Sequence, residues 1–401
     1  MNDLRALAAR PLALRMLLSA LLGRLPEAMV PLALLLLARH EHGSYTTAGV
    51  LAGAFAVGAA VGGPMLGRAI DRLGQPRVLI ASTLLRSAAL AAIVALAPVS
   101  LAATCVLALP AGALTPPLEP ALRALWPDLA GDDDHALSAA YELDAGAQEL
   151  IFVAGPLLVA LALALDGPAT ALHLASAVGL LGTLAFALAR PARAWQAAPH
   201  AGHWAAAVRA PQVGALLVVG LLAGAATGAV NVTATAFAER TLGDRDLAGW
   251  LLAAWAVGAM TGGLASAARR WTLPPERRLT RLLIAFGVAF APALFATALG
   301  TMALALAIPG AFLAPTLAAV FVLTGLRALP GAVTETFAWL TSSFLVGSAA
   351  GSAVAGAIGG DSPPGFALAA ATMLLAAALW RRTDARAASR PHSGETVAPG
   401  S

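Results

Sequence analysis

The sequence predicts an all-α membrane protein, with about twelve transmembrane helices in two six-helix, pseudo-symmetric halves. Three observations point there. Of 401 residues 59% are hydrophobic and only 11% charged, too little polar side chain to cover a soluble fold of this size. All the basic side chains are arginine, and they collect in alternate loops, the signature of a chain threaded back and forth across a bilayer. The segment AFAVGAAVGG at 54–63 returns as AWAVGAMTGG at 254–263, as a duplicated six-helix unit requires.

A spanning helix takes roughly 20 apolar residues. Apolar runs of that order, separated by Pro, Gly and charge, fall at 12–37, 46–66, 78–97, 101–125, 137–164 and 168–189, and again at 212–237, 247–267, 279–299, 301–327, 333–359 and 365–380. This divides the chain into an N-terminal bundle (1–190), a central loop (191–211), a C-terminal bundle (212–382) and a disordered tail (383–401). The first run is too long for the core of a cleaved signal and lacks a small-residue cleavage site, so it is expected to stay as helix one.

With the N-terminus inside, one face gathers Arg68, Arg72, Arg77, Arg190, Arg193, Arg209, Arg269, Arg270, Arg277, Arg278, Arg281, Arg381 and Arg382, while the other keeps Arg39, Arg240 and Arg245. The expectation is a multi-pass protein of the cell (plasma) membrane with both termini cytoplasmic. Gly58, Gly62 and Gly63, and their counterparts Gly258, Gly262 and Gly263, are expected to let helices approach closely.

Ionisable groups within the spans are expensive unless they meet a partner or a cavity, so each is a functional candidate. Arg24 and Glu27 stand three apart on one face of span one, with Pro26 between them. Glu27 can carry a proton, with a closed structural ion pair as the alternative use. Span five supplies Glu142, Asp144 and Glu149. Glu149 lies deepest and is the second proton-carrier candidate, whereas Glu142 and Asp144 are expected at the cytoplasmic entrance. Arg86 in span three has no acid in its own helix, and Glu27 or Glu149 is its expected partner. Glu335 is expected at the inner gate. Trp250, Trp255 and Trp339 are expected to anchor or pack rather than to line a cavity.

After span two comes GRAIDRLGQPRVL, in which Gly67, Asp71, Arg72, Gly74 and Arg77 have the spacing of the loop signature of the major facilitator superfamily, which the chain resembles. The resemblance implies alternating access between two six-helix halves, and a latch at Asp71, Arg72 and Arg77 that stabilises the outward-facing state. The corresponding second-half loop, ASAARRWTLPPERR, keeps the basic charge and lacks the acid. Gly146 with the pair Gly155 and Pro156 resembles the antiporter motif, although its closing glycines are replaced by Val159 and Ala160. In span four Gly112 fits the family pattern, but Ala108 stands where an arginine is expected. The segment PPLEPALRALWPDL is similar to one in bacterial drug and metabolite exporters; Glu119 and Arg123, one turn apart, can pair with each other or with the Asp71 loop.

The function so implied is proton-coupled efflux of small amphipathic molecules or metabolites. The alternatives are an importer or facilitator of sugars and metabolites and, more remotely, a non-transporting polytopic protein. The expected partners are a small-molecule substrate, protons and the lipid bilayer, with no nucleic acid, and the chain is expected to act as a monomer. No enzyme activity, cofactor or metal is expected. The lone Cys105 gives no disulfide within the chain, and His40 with His42, or His200 with His203, offers only a weak ligand set. Asp132, Asp133 and Asp134 read as a helix start.

Overall fold

The computed structural model describes residues 11–42, 45–131, 133–196, 210–244, 247–269, 271–358 and 362–388. The helices in chain order are α1 (Pro11–His42), α2 (Tyr45–Leu73), α3 (Gln75–Leu96), α4 (Leu101–Ala113), α5 (Leu118–Ala130), α6 (Asp134–Leu165), α7 (Pro168–Ala187) and a short α8 (Arg190–Ala194), followed by α9 (Pro211–Arg240), α10 (Ala248–Ala267), α11 (Pro275–Ala289), α12 (Leu299–Arg327), α13 (Val333–Ala357) and α14 (Ser362–Ala388). Eleven segments are long and apolar enough to cross a membrane, with α4 and α5 counted as one. The twelfth span is α11 with the 3₁₀ turn Ala291–Leu294.

Four departures from the sequence-based boundaries have local causes. Span four is two helices, because the Pro116–Pro117 pair removes two backbone donors and restricts the residue before it. Span nine begins earlier, at Pro275, and its α-helix ends before Pro292, whose missing N–H favours the tighter turn. The segment expected as a loop from Gly67 to Arg77 is helical on both sides of Gly74, which alone breaks the helix with φ +87°. At the C-terminus α14 runs on to Ala388 through Ala- and Arg-rich sequence that favours helix. Residues 197–209 and 389–401 lie outside the described residues.

The repeat is visible in the packing. In the first half Gly58 and Gly62 of α2 seat against Leu109 and Ala113 of α4, and Gly112 against the Phe55 carbonyl. In the second half Gly258 and Gly262 of α10 seat against Ala307 and Ala311 of α12, and Gly310 against the Trp255 carbonyl. A Cβ at any of these glycines would run into the partner's backbone, so the small residues set how closely each pair approaches. Trp255 is buried and stacks with Phe290 beside Phe286, whereas Trp250 is exposed.

The two halves meet where the arginine-bearing turns lie. The C-terminal part of α2 crosses the start of α13: a Cβ on Gly67 would stand 2.9 Å from Ala338 Cβ, and Ser342 Oγ donates to the Ala60 carbonyl at 2.9 Å. The start of α6 crosses the end of α10, where Gly146 and Gly263 face each other. The cores of the two halves therefore join at the arginine-rich end.

Candidate functional site

The site grows from five charged side chains on α1, α5 and α6. Arg24 of α1 is completely buried and reaches Asp144 Oδ1 at 3.4 Å, Glu119 Oε2 at 3.1 Å and Glu27 Oε2 at 3.7 Å. Arg123, one turn after Glu119 on α5, pairs with Glu119 and places its Nε 3.0 Å from Asp144 Oδ2. Asp144, with no exposed surface, thus joins two guanidinium groups. Such a cluster can persist in a low-dielectric interior only because each charge answers another. The break in span four shapes the cluster, since the interruption at Pro116–Pro117 gives α5 its own start and puts Glu119 in its first turn.

Glu27 differs from the other cluster acids. Its side chain is 31% exposed, against 7% for Glu119 and none for Asp144. Arg86 of α3 is buried, with its guanidinium 5.8 Å from the centre of the Phe55 ring. No ion pair joins Arg86 to Glu27 or Glu149 among the described residues, and its Nε and Nη2 find no hydrogen-bond partner.

Glu149 is half-buried, without an ion-pair or hydrogen-bond partner among the described residues. Glu142, Gly146 and Glu149 fall at i, i+4 and i+7 on α6, so they share the face that α6 turns to the second half. Gly155 packs α6 on α1, where a Cβ would come 2.6 Å from Ala28 Cβ; Pro156 beside it is exposed.

Further contacts between the halves lie next to this cluster at the arginine-rich end. Asp71 accepts hydrogen bonds from the backbone N–H groups of Thr334 (3.1 Å) and Glu335 (2.8 Å), a carboxylate capping the start of α13. Arg68 pairs with Glu335 at 3.4 Å. On the other crossing Arg278 of α11 pairs with Glu142 and donates to Ser266 Oγ at 3.2 Å. Between the crossings the Tyr141 ring packs against Phe321 and Phe337, and its hydroxyl donates to the Arg123 carbonyl at 3.2 Å. The Arg123 guanidinium lies 3.4 Å from the centre of the Phe321 ring. Arg123 thereby touches the ion cluster on one side and the second half on the other.

Several sequence-based placements need correction. Glu119 and Arg123 pair with each other, as one alternative held, but their further partners are Arg24 and Asp144, not the Asp71 segment. Asp144 is a buried hub rather than an entrance residue, because the helical turn that aims Glu142 at α11 aims Asp144 at α1 and α5. Arg72 and Arg77 are exposed, and Arg68, a full turn before Arg72, makes the ionic contact with α13. Arg68, Tyr141 and Phe321 were not singled out in the sequence. Arg68 had a signal, since it lies four residues before Arg72 on the same helical face; the two aromatic residues had none. His200 and His203 lie outside the described residues. Asp133 caps α6 by accepting from the N–H groups of His135 and Ala136.

The family model described as Major Facilitator Superfamily matches residues 16–324. No curated protein matches the chain significantly. Among solved structures the chain is similar to a bacterial homologue of the iron transporter ferroportin in its outward-facing state, at 15% identity and a TM-score of 0.76, with 94% of this chain and 100% of that chain covered. The human organic anion transporter MFSD10 is 20% identical with a TM-score of 0.69, covering 92% of this chain and 99% of that one. The E. coli fucose:proton symporter FucP is 16% identical with a TM-score of 0.64, covering 96% and 99% respectively. At these identities the likeness is one of fold.

Proposed function

The chain belongs to the Major Facilitator Superfamily, a family of membrane transporters, and from that premise we propose that it is a proton-coupled secondary transporter that exports small amphipathic molecules by alternating access. The arginine-rich end is the cytoplasmic one by the positive-inside rule. The halves touch at that end, so the conformation is outward-facing.

The observation that carries the proposal is the exposure difference inside the ion cluster. Glu27 reaches accessible space, while its partner Arg24 is sealed against Asp144 and Glu119. A proton arriving from the outer side neutralises Glu27 and removes its share of the hold on Arg24. Arg24 then rests on Asp144 and Glu119 alone, and the pull on the cluster changes. Arg123, shared between Asp144 and the Phe321 ring, passes the change to the cytoplasmic gate. Opening of the gate exposes Glu27 to the cytoplasm, where the proton leaves and solute enters. Glu149, on the face of α6 turned to the second half, is the second carboxylate that can load from the same space.

The test is proteoliposomes with an internal pH dye and imposed gradients of candidate amphipathic solutes. Wild-type protein should move protons opposite to solute, and Glu27→Gln should abolish proton movement. If Glu27→Gln and Glu149→Gln both move protons as wild type does, neither acid is the carrier. Proton movement in the same direction as solute would replace export with symport, the activity named for FucP.

A further inference from the structure

The second-half counterpart of the Asp71 segment has lost its acid, and what it has become is a basic basin. Between α10 and α11 a cavity of about 210 Å³ is lined by Arg269, Trp271, Arg278 and Arg281, with Leu282 and Ala285 forming its apolar wall, and among the described residues no acid lines it. Two of the arginines stand over the Trp271 ring, Arg269 at 5.0 Å and Arg278 at 4.4 Å. The ring is itself held by its Nε1, which donates to the Ser266 carbonyl at 3.3 Å and to Ser266 Oγ at 3.2 Å. Of the two nearest acids, Glu142 engages Arg278 through Nη2 on the side facing α6, and Glu276 is paired away from the basin with Arg327 at 2.9 Å.

Two further features point to an anionic ligand. Arg278 is buried, yet its Nε has no hydrogen-bond partner among the described residues. Arg269 and Arg281 are exposed, with no carboxylate partner among the described residues. Guanidinium groups held apart on a tryptophan face, with donors to spare, suit a tetrahedral oxyanion, which accepts several charge-assisted hydrogen bonds at once. The Leu282 and Ala285 wall gives the same basin an apolar side.

We propose that this basin binds a phosphate oxyanion, with the head group of an anionic phospholipid as the source that its apolar wall favours. Its place at the arginine-rich end puts it at headgroup depth, and the occupied site sets a negative charge beside the arginine that closes the α6–α11 contact.

The experiment is native mass spectrometry of the detergent-purified full chain, with phosphatidylglycerol, phosphatidylcholine or inorganic phosphate added. Wild-type protein should retain phosphatidylglycerol about tenfold better than phosphatidylcholine. Arg269→Gln with Arg281→Gln should remove that preference; both side chains are exposed, so the fold should survive. Arg381→Gln with Arg382→Gln removes the same charge from exposed positions on α14 and should keep it. Retention of inorganic phosphate alone, lost in the Arg269/Arg281 variant, supports the oxyanion site and makes its source soluble. Equal retention of all three additives, or an equal loss in both double variants, overturns the proposal.

Discussion

The same helix–helix seam is built in opposite ways in the two halves. In the second half α9 and α13 interlock through glycines: a Cβ on Gly224 or Gly228 would strike the carbonyls of Phe344 or Ser348, and one on Gly347 or Gly351 those of Leu221 or Ala225. In the first half the equivalent pair, α1 and α6, is held by the Arg24–Asp144 ion pair and by the contact of Gly155 with Ala28. The glycine seam is neutral and close-packed, so nothing in it responds to a proton or an ion. The charged seam is held by groups whose balance can change. The difference assigns the two halves different work: a rigid body on one side, and on the other a body whose internal cohesion depends on ionisation.

The comparison is most easily broken at Asp144. Replacing it by asparagine keeps the volume and leaves Arg24 and Arg123 buried around a neutral group, a change of about 3 kcal/mol by analogy with broken buried ion pairs. Thermal unfolding of the purified protein should show a large fall in melting temperature, and removing Arg24 as well should recover part of it. No recovery in the double variant would mean that the charges do not act as a unit. Next in size is Gly347→Val in the glycine seam, where backbone atoms of Leu221 block the new side chain. A loss of about 2–3 kcal/mol is expected from overpacking, without effect on the pH dependence of transport. A shifted pH profile would show that the second half also takes part in coupling.

The gate gives a smaller effect. Asp71→Asn keeps the shape and weakens two charge-assisted hydrogen bonds to the start of α13, worth about 1 kcal/mol. The closed end should open more often, by several-fold, and a thiol introduced on the cytoplasmic side of the gate should be labelled correspondingly faster. Unchanged labelling would place the closing force in the Glu142–Arg278 contact and the aromatic cluster instead.

How much of this was legible in the sequence follows from the range of the forces involved. The spans, the arginine-rich end and the close approach at the repeated glycines were legible, because hydropathy and glycine spacing act within a few turns of helix; which helices meet there, α2 with α4 and α10 with α12, was not. Asp71 and Glu335 were expected at the same end, and Asp71 accepts from the Glu335 N–H. What Asp144 touches was not legible, since 120 residues separate it from Arg24 and the helix can turn it toward the entrance or the interior without changing its sequence neighbours. Arg86 shows the same limit in reverse: with no acid in its own helix, its expected partners are Glu27 and Glu149, and neither forms an ion pair with it among the described residues. The helical state of the Gly67–Leu73 segment was hidden because glycine is common in turns as well as at packed helix crossings, such as the one Gly67 makes with α13.

The smallest expected effect tests the antiporter-like motif, whose two glycines have unequal surroundings. A Cβ on Gly155 would press on Ala28, whereas one on Gly146 would find its nearest atoms, the Gly263 Cα and Met260 carbonyl, 4.0 Å away. Alanine therefore fits at Gly146 in this conformation and removes the flexibility of a mid-helix glycine, a stabilisation of roughly 0.4–1 kcal/mol. The melting temperature should rise slightly. Transport separates the remaining possibilities: if α6 and α10 keep this spacing throughout the cycle, Gly146→Ala turns over like wild type. If they must close further as the halves rock, the same alanine slows turnover while leaving the resting fold more stable, and the first half is then the side that has to yield.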